Sequence, residues 1–207
     1  MVEIRKEHVE WAVVDRLSQM LKGPPPSEFN VTHTFALFSS ILCWTLQHLR
    51  IGEKDIRSVG DRAAARLRGE LQNEDISAEP WAIRMIERAI QGAKVPAPQN
   101  FGGHKADRFL KNLRDAMAHG DTRIVEPFHA RSHGADRALL GFLFKCEEHR
   151  GTGDKRIVVW TGEIILLEQD RREVGLKLAK RYCDALREAD GDEHLADEAR
   201  HHVQEVA

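Results

Sequence analysis

The chain has little of what several protein classes require. Its formal net charge is only -2 over 207 residues, which excludes the broad basic surface needed to grip a long nucleic-acid duplex. A small basic cleft that handles a few phosphates remains compatible with that balance. No apolar run approaches the roughly 20 residues needed to span a bilayer. The stretch after Met1 is charged and amphipathic rather than signal-like. The expectation is a cytoplasmic protein with no membrane partner. Cysteine is scarce: Cys43, Cys146 and Cys183 are odd in number and share no metal-ligand spacing. Each lies in an apolar or amphipathic run and reads as a buried free thiol. Gly102-Gly103 precedes a helical pattern but lacks the lysine and serine of a phosphate-binding loop. Nothing resembles a Ser-His-Asp hydrolase elbow, and there are no internal repeats and no obvious domain linker.

Against these absences stand 42% hydrophobic and 31% charged residues, the make-up of an ordinary globular domain with a real core. Residues 2–22 carry apolar side chains at helical spacing, from Ile4 and Val9 to Met20 and Leu21. Gly23-Pro24-Pro25-Pro26 ends that helix. A second helix is expected over 31–51, where Phe35, Leu37, Phe38, Ile41, Leu42, Trp44, Leu46 and Leu49 are apolar nearly all round, the mark of a central helix. A short charged helix follows over 61–71. Pro80 then stands at the first turn of a helix carrying Trp81, Ile83, Met85, Ile86, Ala89 and Ile90. A loop over 92–103 leads to a helix from His104 or Lys105 to His119.

After Pro127 the pattern changes. Residues 138–148 and 156–161 are β-rich and separated by the turn-like His149–Lys155, which predicts an antiparallel hairpin. Thr161 or Gly162 then opens a last long helix through Leu186. The composite expectation is a mainly α fold: one up-and-down helical bundle over 1–189 with a small β-hairpin at about 138–161 before its last helix. A polar, mobile tail is expected over 190–207.

The most informative segment is Phe109-Leu-Lys-Asn-Leu-Arg-Asp-Ala-Met-Ala-His-Gly-Asp121. The spacing of Arg114 and His119 is uninformative alone, because 21 arginines and 11 histidines in 207 residues give about one such pair by chance. The context carries more. Phe109, Leu113, Ala116 and Met117 share one face, and Gly120 suits the position just past a helix end. Arg114 and His119 are about 140° apart around the helix and do not stack, whereas Asp115 and His119 are four residues apart and can meet. Asp115 is therefore placed to fix the imidazole's tautomer or raise its pKa. Arg114 offers a planar, always-charged fork for a phosphate.

Metal-independent RNA cleavage needs these residue types. A base takes the 2′-hydroxyl proton, an acid serves the leaving oxygen, and a cation meets the developing phosphorane charge. With one such histidine per chain, a symmetric dimer presenting two Arg/His pairs to one cleft completes the set.

Leu113-Arg-Asp-Ala-Met-Ala-His-Gly-Asp121 resembles the signature of HEPN domains, the higher eukaryote and prokaryote nucleotide-binding superfamily: arginine, a polar residue, a short apolar stretch, then histidine. The order of elements is loosely similar too, and a hairpin with Trp160 near its end resembles a plasmid- and phage-associated subgroup. The resemblance implies an α-helical bundle that forms a homodimer with its motif helices facing each other. It implies a metal-independent endoribonuclease without cofactor, a toxin or defence effector with a possible cognate antitoxin protein as partner. Carried over, Arg114 and His119 are the catalytic pair and Asp115 their polar partner. The family also holds inactive members, so a module that only binds nucleotide, RNA or a partner protein is the alternative, and a plain helical scaffold the third.

Other residues fit the same site less directly. Lys111, one turn before Asp115, and Arg123, just past the motif, are candidate phosphate contacts, and equally solvated surface charges. His129 and His133 have a spacing that two metal ligands on one helix face share, but they lie among glycine and proline with no acidic partner. His33 and His48 flank the apolar second helix and read as core-edge residues that could border the cleft. His194, His201 and His202 belong to the polar tail.

Overall fold

A computed structural model describes residues 9–24, 29–47, 58–119, 123–130, 138–152 and 155–190, the His119 side chain excepted. Helix α1 spans Val9–Lys22, α2 Asn30–Leu46 and α3 Val59–Leu71. A short hairpin of β1 (Arg88–Ile90) and β2 (Ala93–Val95) follows, then α4 (Ala106–His119). Strands β3 (Val125–His129), β4 (Leu139–Arg150) and β5 (Ile157–Leu167) precede the last helix, α5 (Glu168–Asp190).

Local chemistry explains several of these boundaries. Ser58 caps α3: its hydroxyl accepts from the Asp61 N–H at 3.0 Å while the Asp61 carboxylate accepts from the Ser58 N–H at 2.9 Å. That reciprocal pair satisfies two donors a helix start leaves unmade. At the head of α5, the Asp170 carboxylate accepts from the Leu167 N–H at 2.8 Å, with Glu168 beside it in the first turn. Both acids suit the positive end of the helix.

Helix α5 is the axis of the helical layer. It packs against α1, α2 and α3, burying Val174, Leu178, Ala179, Tyr182 and Leu186. Gly175 permits the close approach, since a Cβ there would lie 2.9 Å from Leu21 Cδ2 and 3.2 Å from Phe38 Cδ2. Helix α4 lies between α2 and the sheet.

The mainly α expectation is overturned. Helix takes 52% and strand 24% of the described residues, and the protein mixes α and β. The second layer is a three-stranded antiparallel sheet in the order β3-β4-β5. The expected small hairpin ended near Thr161 because Gly162 looked like a helix start. The strand instead continues to Leu167, with Gly162, Ile164 and Leu166 buried and Glu163 and Ile165 half-buried. That alternation has period two, so it belongs to a sheet with one face on the core.

The helix expected over Trp81–Ile90 is also absent. Ala82 and Gln91 have φ of 50° and 47°, a backbone region closed to a continuing right-handed helix. Gln91-Gly92 forms the two-residue turn between β1 and β2, with Gly92 at φ 75°, as the mirror-image hairpin turns require. Ile86, assigned to a core face by helical spacing, is 72% exposed.

Helices α3 and α4 stand close to expectation, whereas α2 ends at Leu46 and α5 begins at Glu168 rather than at Thr161 or Gly162. The ends of the first and second expected helices, residues 2–8 and 48–51, lie outside the described residues, as does the tail beyond Asp190. Among the described residues no helix is long and apolar enough to cross a membrane. Of the three free cysteines, Cys146 and Cys183 are buried as expected, but Cys43 is exposed.

Candidate functional site

Helix α4 builds the site. Ala106, Phe109, Leu110, Leu113 and Ala116 are buried along one face, at the three- and four-residue spacing of an amphipathic helix. They join a core that includes Phe144 and Cys146 of β4. Burial pushes the Cys146 thiol up to about 12 and the Cys183 thiol likewise, so neither is a nucleophile at neutral pH.

A clamp locks α4 to the sheet. Glu148 of β4 accepts from Arg108 Nε at 2.6 Å and Nη2 at 2.8 Å, and from Asn112 Nδ2 at 2.9 Å. The Arg108 hydrogen bonds, opposed by burial and helped by Asn112, pull the Glu148 carboxyl down to about 2. Arg108 also sits 5.2 Å from the centre of the Trp160 ring. Trp160 packs in turn on Phe101 and His104 at 5.2 and 4.8 Å. His104 is 3% exposed, and burial first, then the Arg108 charge, lowers its pKa. His104 and Trp160 therefore serve the scaffold.

Arg114 and Asp115 lie one turn further on, at the edge of the packed face. Arg114 Nη2 and Asp115 Oδ1 form an ion pair at 2.8 Å, with the two side chains 14% and 28% exposed. Lys111 Nζ lies 3.8 Å from the other Asp115 oxygen. Arg114 Nε is enclosed without a hydrogen-bond partner. Asp115 is thus held from Arg114 and Lys111. The expected contact between Asp115 and the His119 imidazole falls outside the described positions.

Beside this pair opens a cleft of about 620 Å³. Lys111, Asp115 and Ala116 form its α4 wall. Arg123 and Ile124 come from the residues before β3, Lys145, Glu147, Glu148 and His149 from β4, and Gly151, Arg156 and Val158 from the β4–β5 connection and the start of β5. The topology explains the opening. Strand β3 pairs with β4 only as far as Val125 opposite Phe144, with one further bond from the Lys145 N–H to the Ile124 carbonyl. Among the described residues, β4 beyond Lys145 is partnered only by β5.

The cleft joins the two expected phosphate contacts, Lys111 and Arg123, and adds three basic side chains the sequence did not single out: Lys145, His149 and Arg156. Lys145 is hydrogen-bonded to Glu126, which raises its pKa. His149 stood at the start of the segment read as a turn and Arg156 at the head of the expected second strand, and their contact across the hairpin at 3.1 Å has no sequence signature.

The other histidines go elsewhere. His33 is half-buried in α2 and does not line the cleft. His129 is exposed at the end of β3. His48, His133, His194, His201 and His202 lie outside the described residues. No group of three or more histidine, cysteine or acidic side chains that could hold a metal occurs among the described residues.

No family model matches the chain, and no curated protein or solved structure matches it.

Proposed function

We propose that this protein is a metal-independent endoribonuclease acting on single-stranded or looped RNA. Arg114 stabilises charge at the scissile phosphate, His119 transfers a proton, and Asp115 orients them. The observation that carries this reading is that Asp115, ion-paired with Arg114, lines a cleft together with Lys111, Arg123, Lys145, His149 and Arg156, Arg114 itself standing behind that wall. A cleft of about 620 Å³ that gathers Lys111, Arg123, Lys145 and Arg156, with Asp115, Glu147 and Glu148 among them, suits a few phosphates of a flexible strand better than a rigid duplex. In this reading the protein works in the cytoplasm as a homodimer, as a toxin or defence effector restrained by a cognate antitoxin protein.

The low exposure of Arg114 favours a second reading, a non-catalytic module that binds nucleotide, RNA or a partner protein in the cleft. There the ion pair only fixes the helix.

Incubation with structured RNA in EDTA separates the two. The first reading expects cleavage by the wild type that is lost in both His119→Ala and Arg114→Ala. Equal residual cleavage in all three samples would mark a contaminant and overturn it. Binding without cleavage supports the second. Light scattering at micromolar concentration tests the dimer.

A further inference from the structure

We propose that His149 is the second proton-transfer group of the cleft, acting on the 2′-hydroxyl of RNA; this rests on the ribonuclease reading above. Cleavage of a phosphodiester by its neighbouring hydroxyl needs two proton transfers, and the motif helix supplies one imidazole per chain. The cleft supplies another from the same chain.

The geometry around His149 fixes its proton. Arg156 Nη2 lies 3.1 Å from Nδ1. A guanidinium only donates, so Nδ1 carries the lone pair and the neutral ring holds its proton on Nε2. On that side stands Glu147, with Oε2 3.4 Å from Nε2. A carboxylate behind one ring nitrogen helps to orient the ring. His149 also stands at a break in the ladder: Glu148 pairs with Trp160 and His149 with Val158, leaving Val159 as an extra residue on β5. Such bulges re-aim side chains and recur beside active sites.

Arg156 itself lines the cleft. A phosphate entering there competes for its guanidinium and draws it from His149. The Nδ1 lone pair then opens into the space the RNA occupies. Other charges face that space, Lys111 and Asp115 from α4, Arg123 from the segment after it, and Lys145 and Glu148 from β4, and they contribute to its field.

The step balances without an added reactant. The 2′-hydroxyl proton passes to Nδ1 of His149 as the 2′-oxygen bonds to phosphorus. The bond from phosphorus to the 5′-oxygen breaks, and that oxygen takes a proton from protonated His119. The products are a 2′,3′-cyclic phosphate and a 5′-hydroxyl. Proton exchange with water resets both rings.

The test is steady-state cleavage of a fluorescent single-stranded RNA in EDTA, from pH 5 to 9. Wild type, His149→Ala, His149→Gln and His119→Ala are compared, and affinity is read separately with a 2′-deoxy analogue that cannot be cleaved. A proton-transfer group typically contributes 10²–10⁴-fold. His149→Ala and His149→Gln are expected to lose about that much kcat, keep affinity for the analogue within about threefold, and lose the limb of the pH profile that reports the base. Added imidazole should partly rescue His149→Ala. A His149→Ala protein cleaving within threefold of wild type with both limbs intact overturns the inference and leaves the ribonuclease reading standing. Loss of analogue binding with unchanged kcat also overturns it, assigning His149 to binding alone. A wild type that makes no cyclic-phosphate ends in EDTA overturns both.

Discussion

Arg108 grips Glu148 through both Nε and Nη2, at 2.6 and 2.8 Å, and so ties the helix that carries the motif to the strand that forms the cleft's other wall. The pair is not part of the proposed chemistry. It sets the distance across which any ligand of the cleft must be held, and it makes that distance depend on one carboxylate.

Glu148→Gln tests that dependence. The Glu148 carboxyl is held at about 2 in the folded protein, below its ordinary value near 4.3. A depressed acid contributes stability that is fully present above its unfolded value and is lost as pH falls through the folded one. Hydrogen bonds to a charged group are worth about 1.5–3 kcal/mol, and each kcal/mol moves Tm by roughly 2–4 °C in a chain of this size. The substitution should lower Tm at pH 7, and the gap between the proteins should close between about pH 4.5 and pH 2. A gap that stays constant over that range would show that the charge on Glu148 contributes nothing.

Arg171→Met concerns the core. Arg171 is fully buried, donates to the Leu166 and Val31 carbonyls at 3.2 Å each, and lies 5.0 Å from the centre of the Phe142 ring. Burial lowers its pKa to about 10, against the nearby Glu168 and Asp170, so it is charged at neutral pH. Methionine keeps much of the volume and removes the donors. The expected loss is about 1–3 kcal/mol by denaturant unfolding, while Arg171→Ala adds a cavity and should cost more. Methionine at wild-type stability would mean that the buried charge is tolerated rather than stabilising.

Helices were legible in the sequence where apolar spacing and end signals agreed. In α4 the buried Phe109, Leu113 and Ala116 repeat at helical intervals, and in α2 the run from Leu37 to Leu46 is apolar enough to be central. The reading failed where a short apolar run carried two periods at once. Ile83, Met85, Ile86 and Ile90 fit a helix on paper, but Gln91-Gly92 turns the chain back as a hairpin. Ile164 to Leu167 fit either element, and pairing with β4 decided for the strand, an influence from residues some 20 positions away that local propensity does not contain. The site divides the same way. Lys111 and Asp115 reach the cleft from neighbouring turns of one helix, a spacing the sequence shows directly. His149, Arg156 and Lys145 reach the cleft only through strand register, which no local spacing records.

Asp115→Asn probes the ion pair itself. The carboxylate holds Arg114 at 2.8 Å, and an amide of the same shape keeps the packing while giving up the charge. Misplacing a positioned group by about 1 Å can cost on the order of 100-fold in rate. Under the ribonuclease reading kcat should fall by about that factor, with Tm changed by no more than a few degrees. If kcat is unchanged, Asp115 does not orient the site; if Tm collapses instead, the pair is structural.

Salt dependence separates a phosphate-binding cleft from a merely charged surface. Each phosphate contact on a single strand contributes about 0.7 to the slope of log affinity against log salt. Lys111 and Arg123 both line the cleft, so Lys111→Ala with Arg123→Ala should flatten that slope by about 1.4 and weaken binding of the uncleavable analogue most at low salt. Lys145→Ala should change it less, because Glu126 already engages that ammonium. Substituting two exposed lysines outside the cleft, Lys94 and Lys180, gives the control for net charge, since neither lines it. Equal flattening in the control would mean that net charge rather than the cleft attracts RNA. No change in the Lys111/Arg123 variant would remove both residues from the binding site.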